Sequence, residues 1–145
     1  EAKFEWKGSL LADRNARTAT LHEGVKLRHH RSQDGLLTDL ECTDLVATMA
    51  GVSADGANAK DMSGDLKTAL AKGAVWLRSG TREITGGELL YDAGNGLVDA
   101  QGQSGGMVNI FDQGKATPMT ARRILWNLIS GRLEVREPGT IVAPN

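Results

Sequence analysis

Apolar residues fall on alternate positions at intervals along the whole chain. The pattern is clearest in Val25-x-Leu27, Val75-x-Leu77, Leu89-x-Tyr91, Val108-x-Ile110 and Ile124-x-Trp126. A period of two places every second side chain on one face, as expected of a strand with one buried side. Between these runs stand Gly, Asn, Asp and Ser, which tolerate turn dihedrals. The central stretch, Ala71 to Gly102, sets out the unit. The pattern predicts a glycine turn at Lys72-Gly73, a strand over Val75–Leu77 and a turn over Arg78–Arg82. A strand over Ile84–Tyr91, a turn over Asp92–Gly96 and a strand over Leu97–Ala100 follow.

The unit recurs on both sides. Upstream, Phe4-Glu5-Trp6 alternates, Thr18 to Leu21 reads as a β-branched strand closed by Glu23-Gly24, and Gly24-Val25-Lys26-Leu27 starts a new copy before the strand Leu36–Met49. Downstream come Met107–Phe111, Met119–Trp126 and Leu133–Arg136. Cys42, Ile84 and Met119 align without gaps, as do Ala47, Leu89 and Ile124, and Met49, Tyr91 and Trp126. Copies are spaced by roughly 35 to 45 residues, a period at which supersecondary units stack into one core. Helix competes at two places on spacing alone: Met62, Leu66, Ala69 and Leu70, stopped by Gly73, and Ile124, Leu125 and Leu128, stopped by Gly131. The two states are evenly matched at the first. At the second the equivalent segment contains Gly86-Gly87, a poor helix start, so strand is expected. Residues 50–65 are small and polar without period two, and read as a long loop. The expectation is an all-β chain forming a single domain over 1–145, with any helix confined to 50–72.

Composition narrows the function. Lys plus Arg number 17 and Asp plus Glu 18, a net charge of -1 with no basic block, so nucleic acid is not expected as a partner. Glycine, at 18 residues, suits many tight turns. No run approaches the ~20 apolar residues of a membrane helix, and no signal peptide is expected within this stretch, which reads as a mature form or an excised domain. Cys42 is the lone cysteine and has no internal disulfide partner. Gly102-Gln103-Ser104-Gly105-Gly106 fits the G-x-S-x-G of serine hydrolases, but that chemistry needs a helix after the serine. A strand is expected there instead, so the segment reads as a glycine-rich turn. His22, His29 and His30 are too few to ligate a metal and read as solvated strand ends. Neither a catalytic group, a metal nor a cofactor is expected.

The residues of the repeat also carry a resemblance. Ala71, Gly73, Val75 and Leu77, then Ile84, Thr85, Leu89, Tyr91 and Asp92, then Gly96 and Leu97 resemble the OstA-like family of LptA/LptC-type lipopolysaccharide-transport proteins. The flanking copies repeat the pattern through Gly24–Leu27 and Thr120–Leu133, over nearly the whole chain. The 50–65 loop is long for that family and the copies are uneven. The resemblance implies an antiparallel β-jellyroll of two sheets, open along one side like a folded taco. It implies a periplasmic or cell-envelope location and an apolar interior that carries acyl chains of lipopolysaccharide or another long-chain lipid. It also implies end strands that pair with envelope-transport proteins or with a second copy. The candidate ends are Phe4–Trp6 and Leu133–Arg136 with the tail Thr140–Val142. The expected lipid-binding residues are the alternating stripe: Val25, Leu27, Val75, Leu77, Leu89, Tyr91, Val108, Ile110, Ile124 and Trp126. Leu77, Tyr91 and Ile110 are expected nearest the mouth. The same stripe is what the core of any two-sheet protein requires, so a structural scaffold pairing edge to edge without lipid stands as the alternative. Aromatic residues make up only 4% of the chain, leaving few large rings to plug an interior, which leans toward a groove.

Overall fold

The computed structural model describes residues 1–50, 65–102, 106–113 and 119–136. These residues form eleven strands in one antiparallel sheet. The strands are β1 (Ala2–Glu5), β2 (Leu10–Asp13), β3 (Thr18–His30), β4 (Leu37–Ala50), β5 (Asp65–Ser79), β6 (Arg82–Asp92), β7 (Leu97–Gln101), β8 (Val108–Asp112), β9 (Met119–Ala121), β10 (Arg123–Asn127) and β11 (Leu133–Arg136). The all-β expectation holds for the described residues. Leu66, Ala69 and Leu70, where helix was an even match, lie in β5; Met62 and residues 51–64 lie outside the described residues.

The sheet is bent across its middle, and the bend follows from two strands, β3 and β5, that are longer than the alternating runs suggested. Glu23-Gly24 does not end a strand. It is a bulge inside β3, with both residues at positive φ and the register shifting between His22 and Val25. Lys72-Gly73 is likewise no turn: Gly73 and Ala74 take φ of 83° and 46° inside β5, opposite Thr43. A Cβ on Gly73 would lie 2.9 Å from the Thr43 Cβ, so glycine is needed for the close approach as well as for the dihedral. On its other side the same β5 bulge faces Gly87, where the β5–β6 register shifts.

These bulges form a line across the sheet, and partners change along it. β3 pairs with β2 before its bulge and with β1 after it. β6 pairs with β8 through Arg82–Thr85 and with β7 through Glu88–Asp92, so Gly86-Gly87 mark the switch. The expected single strand Met119–Trp126 is broken at Arg122: β9 pairs with β8, whereas β10 pairs with β7 and β11. One sheet is thereby folded into two leaves. The wider leaf runs from β2 to β11 and the narrower from β1 to β9, and β3, β4, β5 and β6 belong to both. A bulge supplies the extra twist and bend such a fold needs. The inner faces of both leaves share one buried apolar cluster.

Candidate functional site

Residues paired across neighbouring strands share a face, so the register lays out the interior row by row. Nearest the bend, Val25 pairs with Cys42, Val75 with Gly86 and Val108 with Ala121. One row further out, the narrower leaf presents Leu27, Leu40, Leu77, Ile84 and Ile110 in continuous register. The wider leaf presents Leu21, Leu45, Ala71, Leu89, Ala100 and Ile124. At the lip of the wider leaf stand Ala19, Ala47, Ala69, Tyr91, Val98 and Trp126. Within this layout Ala47 shares a row with Tyr91, not with Leu89. The gapless alignment of the first copy is therefore off by one inward position, while Leu89 with Ile124 and Tyr91 with Trp126 do share rows.

All ten residues expected to bind lipid point into this interior, and each is at most 3% exposed. Tyr91 stands at the lip; Leu77 and Ile110 stand one row behind it. Leu21, Leu40, Leu45 and Ile84 are equally interior and were missed, although each belongs to an alternating run.

The lip of the narrower leaf is different in kind. His29, Thr38, Ser79, Arg82 and Asp112 follow one another across five strands. His29, Arg31, Thr38 and Ser79 are the buried polar or charged side chains of the described residues, and all four sit at this tip. The sequence carried a signal for them: His29 and Ser79 lie two positions beyond Leu27 and Leu77, and Thr38 and Arg82 two positions before Leu40 and Ile84. The alternation thus continues to the tip with a change of chemistry. His29 was expected at a solvated strand end and is instead 6% exposed. His22 and His30 are exposed as expected, with His22 Nδ1 2.8 Å from Asp44.

Contacts cross from one lip to the other. His29 Nδ1 and the Tyr91 hydroxyl are 2.7 Å apart, their rings edge to face. Arg31 Nη1 donates to the Ala93 carbonyl at 2.8 Å. Arg82 Nη1 donates to the Gly131 carbonyl at 2.8 Å, its guanidinium lies 5.5 Å from the Trp126 ring, and Nη2 reaches Asp112 Oδ2 at 3.1 Å. Burial holds the His29 imidazole down to about 4 and pushes the Tyr91 phenol up, so both are neutral at neutral pH.

Among the described residues no group of three or more His, Cys, Asp or Glu could hold a metal ion. The G-x-S-x-G serine, Ser104, lies outside the described residues; a strand, β8, follows it. A concavity of about 490 Å³ on the outer face of the wider leaf, lined by Leu90, Leu97, Leu125, Arg132 and Glu134, shares only Trp126 with the ten.

No family model and no curated protein matches the chain. Among solved structures, one match is the crystal structure of LptH from Pseudomonas aeruginosa, described as the LptA-homologous periplasmic component of the conserved lipopolysaccharide transport device. The TM-score is 0.71, covering 100% of this chain and 89% of that one. The chain has an LptA-like fold. Identity is 10%, so the LptA-like fold is shared while few side chains are. The antiparallel β-jellyroll that the resemblance implied is therefore the fold of this chain, built from one continuous sheet whose two lips are in contact.

Proposed function

We propose that this protein is a non-enzymatic carrier module that holds the acyl chains of lipopolysaccharide or a similar long-chain lipid between its two leaves, in the periplasm of a cell envelope. The observation that carries the reading is the interior itself. Two facing leaves of an LptA-like fold line it with apolar side chains from the bend outward. An acyl chain needs no fixed polar partner; it is held by burial at ~25 cal/mol per Å², so binding is shared among the stripe residues. LptH, which has this fold at low identity, is a lipopolysaccharide-transport component.

Edge strands supply the partner surface. β1 and β11 are the terminal strands, and each pairs on one side only among the described residues. Each offers backbone N–H and C=O groups to another chain, either a second copy or an envelope-transport protein. The tail Thr140–Val142 lies outside the described residues.

The test places a photo-crosslinking residue at position 77 or 110, expecting capture of lipopolysaccharide or another long-chain lipid. Leu77→Asp and Ile110→Asp should abolish capture, because an unpaired charge against hydrocarbon is strongly unfavourable, with a thermal melt of each variant as the folding control. Folded protein that captures no lipid at either site removes the carrier reading and leaves an edge-pairing scaffold.

A further inference from the structure

The interior is closed in this structure: the stripe residues are at most 3% exposed, although an acyl chain must reach them. The access route is the question, and the polar band at the tips bears on it. Among the described residues, three buried side-chain polar atoms of that band make no hydrogen bond by geometry: Arg31 Nε, Thr38 Oγ1 and Arg82 Nε. Arg31 Nε has Asp34 Oδ2 3.3 Å away as an ion pair, and the Thr38 side chain interacts with the Tyr91 hydroxyl, which leaves Arg82 Nε. Buried polar groups are ordinarily satisfied. The contacts that join the lips are thus offset in part by a group that water would satisfy once the lips part. Elsewhere the leaves meet through apolar packing, and the lip of the wider leaf opposes the band with small residues. Ala19, Ala47 and Ala69 are followed by Tyr91 and Trp126, the two large side chains that make the crossing contacts. The bend opposite the lips is built from positive-φ pairs, Glu23-Gly24 and Gly73-Ala74, and from Gly86-Gly87, where β6 changes partner. A few such residues suffice to absorb a hinge rotation.

We propose that the contacts His29–Tyr91, Arg31–Ala93 and Arg82–Gly131/Trp126 form a releasable latch, and that the leaves part at this seam by pivoting on the line of bulges, opening the interior sideways along its length. The purpose of the latch rests on the carrier reading; its existence does not.

Cys42 provides a lipid-free test. Its thiol lies on the inner face beside the bend, is 6% exposed, and burial pushes its pKa up to about 12, so it reacts only when the interior opens. The experiment follows labelling of Cys42 by a soluble aromatic disulfide in the whole folded protein, at rising sub-denaturing urea. Opening at the latch predicts a labelling rate nearly flat in low urea, because little surface is exposed compared with global unfolding. Tyr91→Phe, which keeps the ring and removes the hydroxyl, and independently His29→Gln should raise that flat rate about five- to tenfold. Asp39→Asn is the control. Among the described residues Asp39 accepts from Arg28 at 2.8 Å and from Arg78 at 3.3 Å, both within the narrower leaf, and it has no hydrogen bond or ion pair across the seam; its flat rate should stay within about twofold of the parent. Labelling that depends steeply on urea at every concentration, or a flat rate that neither seam variant accelerates, overturns the latch. Accelerated labelling together with failed lipid capture at 77 and 110 keeps the latch and removes the carrier reading. Lipid capture with unaltered labelling does the reverse.

Discussion

His29 shows how far one side chain's role depends on what it meets. In sequence it is one of three histidines near charged residues. In the fold it is buried against Tyr91, and burial holds its imidazole down to about 4, against 6.5 for an unperturbed side chain. The N-terminal amine and Arg31 push the same way and Asp65 opposes them. The sign of the pH dependence follows. Between pH 6.5 and 4 the unfolded chain takes up a proton that the folded chain refuses. The stabilising contribution is therefore complete above pH 6.5 and is lost as pH falls toward 4. The loss expected is on the order of 3 kcal/mol. Urea denaturation at intervals from pH 7.5 to 4 should show it, and His29→Gln should flatten that part of the profile. A His29→Gln profile as steep as the parent's would show that other groups carry the dependence.

Among the elements, β11 is the one whose free edge has the plainest consequence. Leu125 faces Glu134 and Ile124 faces Val135 across the β10–β11 ladder. Successive N–H groups of a strand point to opposite edges, so of Glu134 and Val135 one donates toward β10 and the other outward. Proline removes that donor. Glu134→Pro and Val135→Pro should consequently separate. One should loosen β11 and lower the melting temperature; the other should leave the fold intact and weaken association, read by sedimentation velocity. If both leave association unchanged, β11 is not the docking edge. The same ladder logic accounts for the bulges. Where β3 and β5 carry an extra residue opposite Thr43, the strand bends without losing its partners on either side, and this allows a 13- or 15-residue strand to serve both leaves.

For the molecule as a whole, stability is graded from the middle outward. β4 and β5 are hydrogen-bonded to neighbours on both sides in both leaves, whereas β1, β2, β9 and β11 each have one partner among the described residues. Amide exchange should be slowest in β4 and β5, approaching the global unfolding free energy, and fastest in those four edges. Protection of β11 or β1 that rises with protein concentration would locate the self-pairing edge. Uniform protection from centre to edge would contradict a graded sheet.

What was legible in the sequence was what a local rule decides. Period-two alternation put Val25, Leu27, Val75, Leu77, Leu89, Tyr91, Val108, Ile110, Ile124 and Trp126 on one face, and that face is the interior. The side-chain period of a strand depends on nothing beyond the strand itself. Turn chemistry placed Asp92–Gly96 and Ser130-Gly131 correctly for the same reason: Asp92 Oδ1 accepts from the Asn95 amide within three residues, and Gly131 holds a positive φ. A positive φ serves a chain reversal and a bulge alike, so Glu23-Gly24 and Lys72-Gly73 could not announce that their strands run on. That was decided by Thr43 on the neighbouring strand, at a distance in sequence that local patterns do not reach. The rows followed the same division. Alternation says which side chains point inward, but only pairing fixes which stand opposite, and the repeat alignment of Ala47 failed there. His29 and Tyr91 are 62 residues apart and meet only because the bend brings two lips together. The polar band, its closed seam and the burial that keeps His29 neutral are therefore properties of the folded sheet, reached through long-range pairing that no single segment specifies.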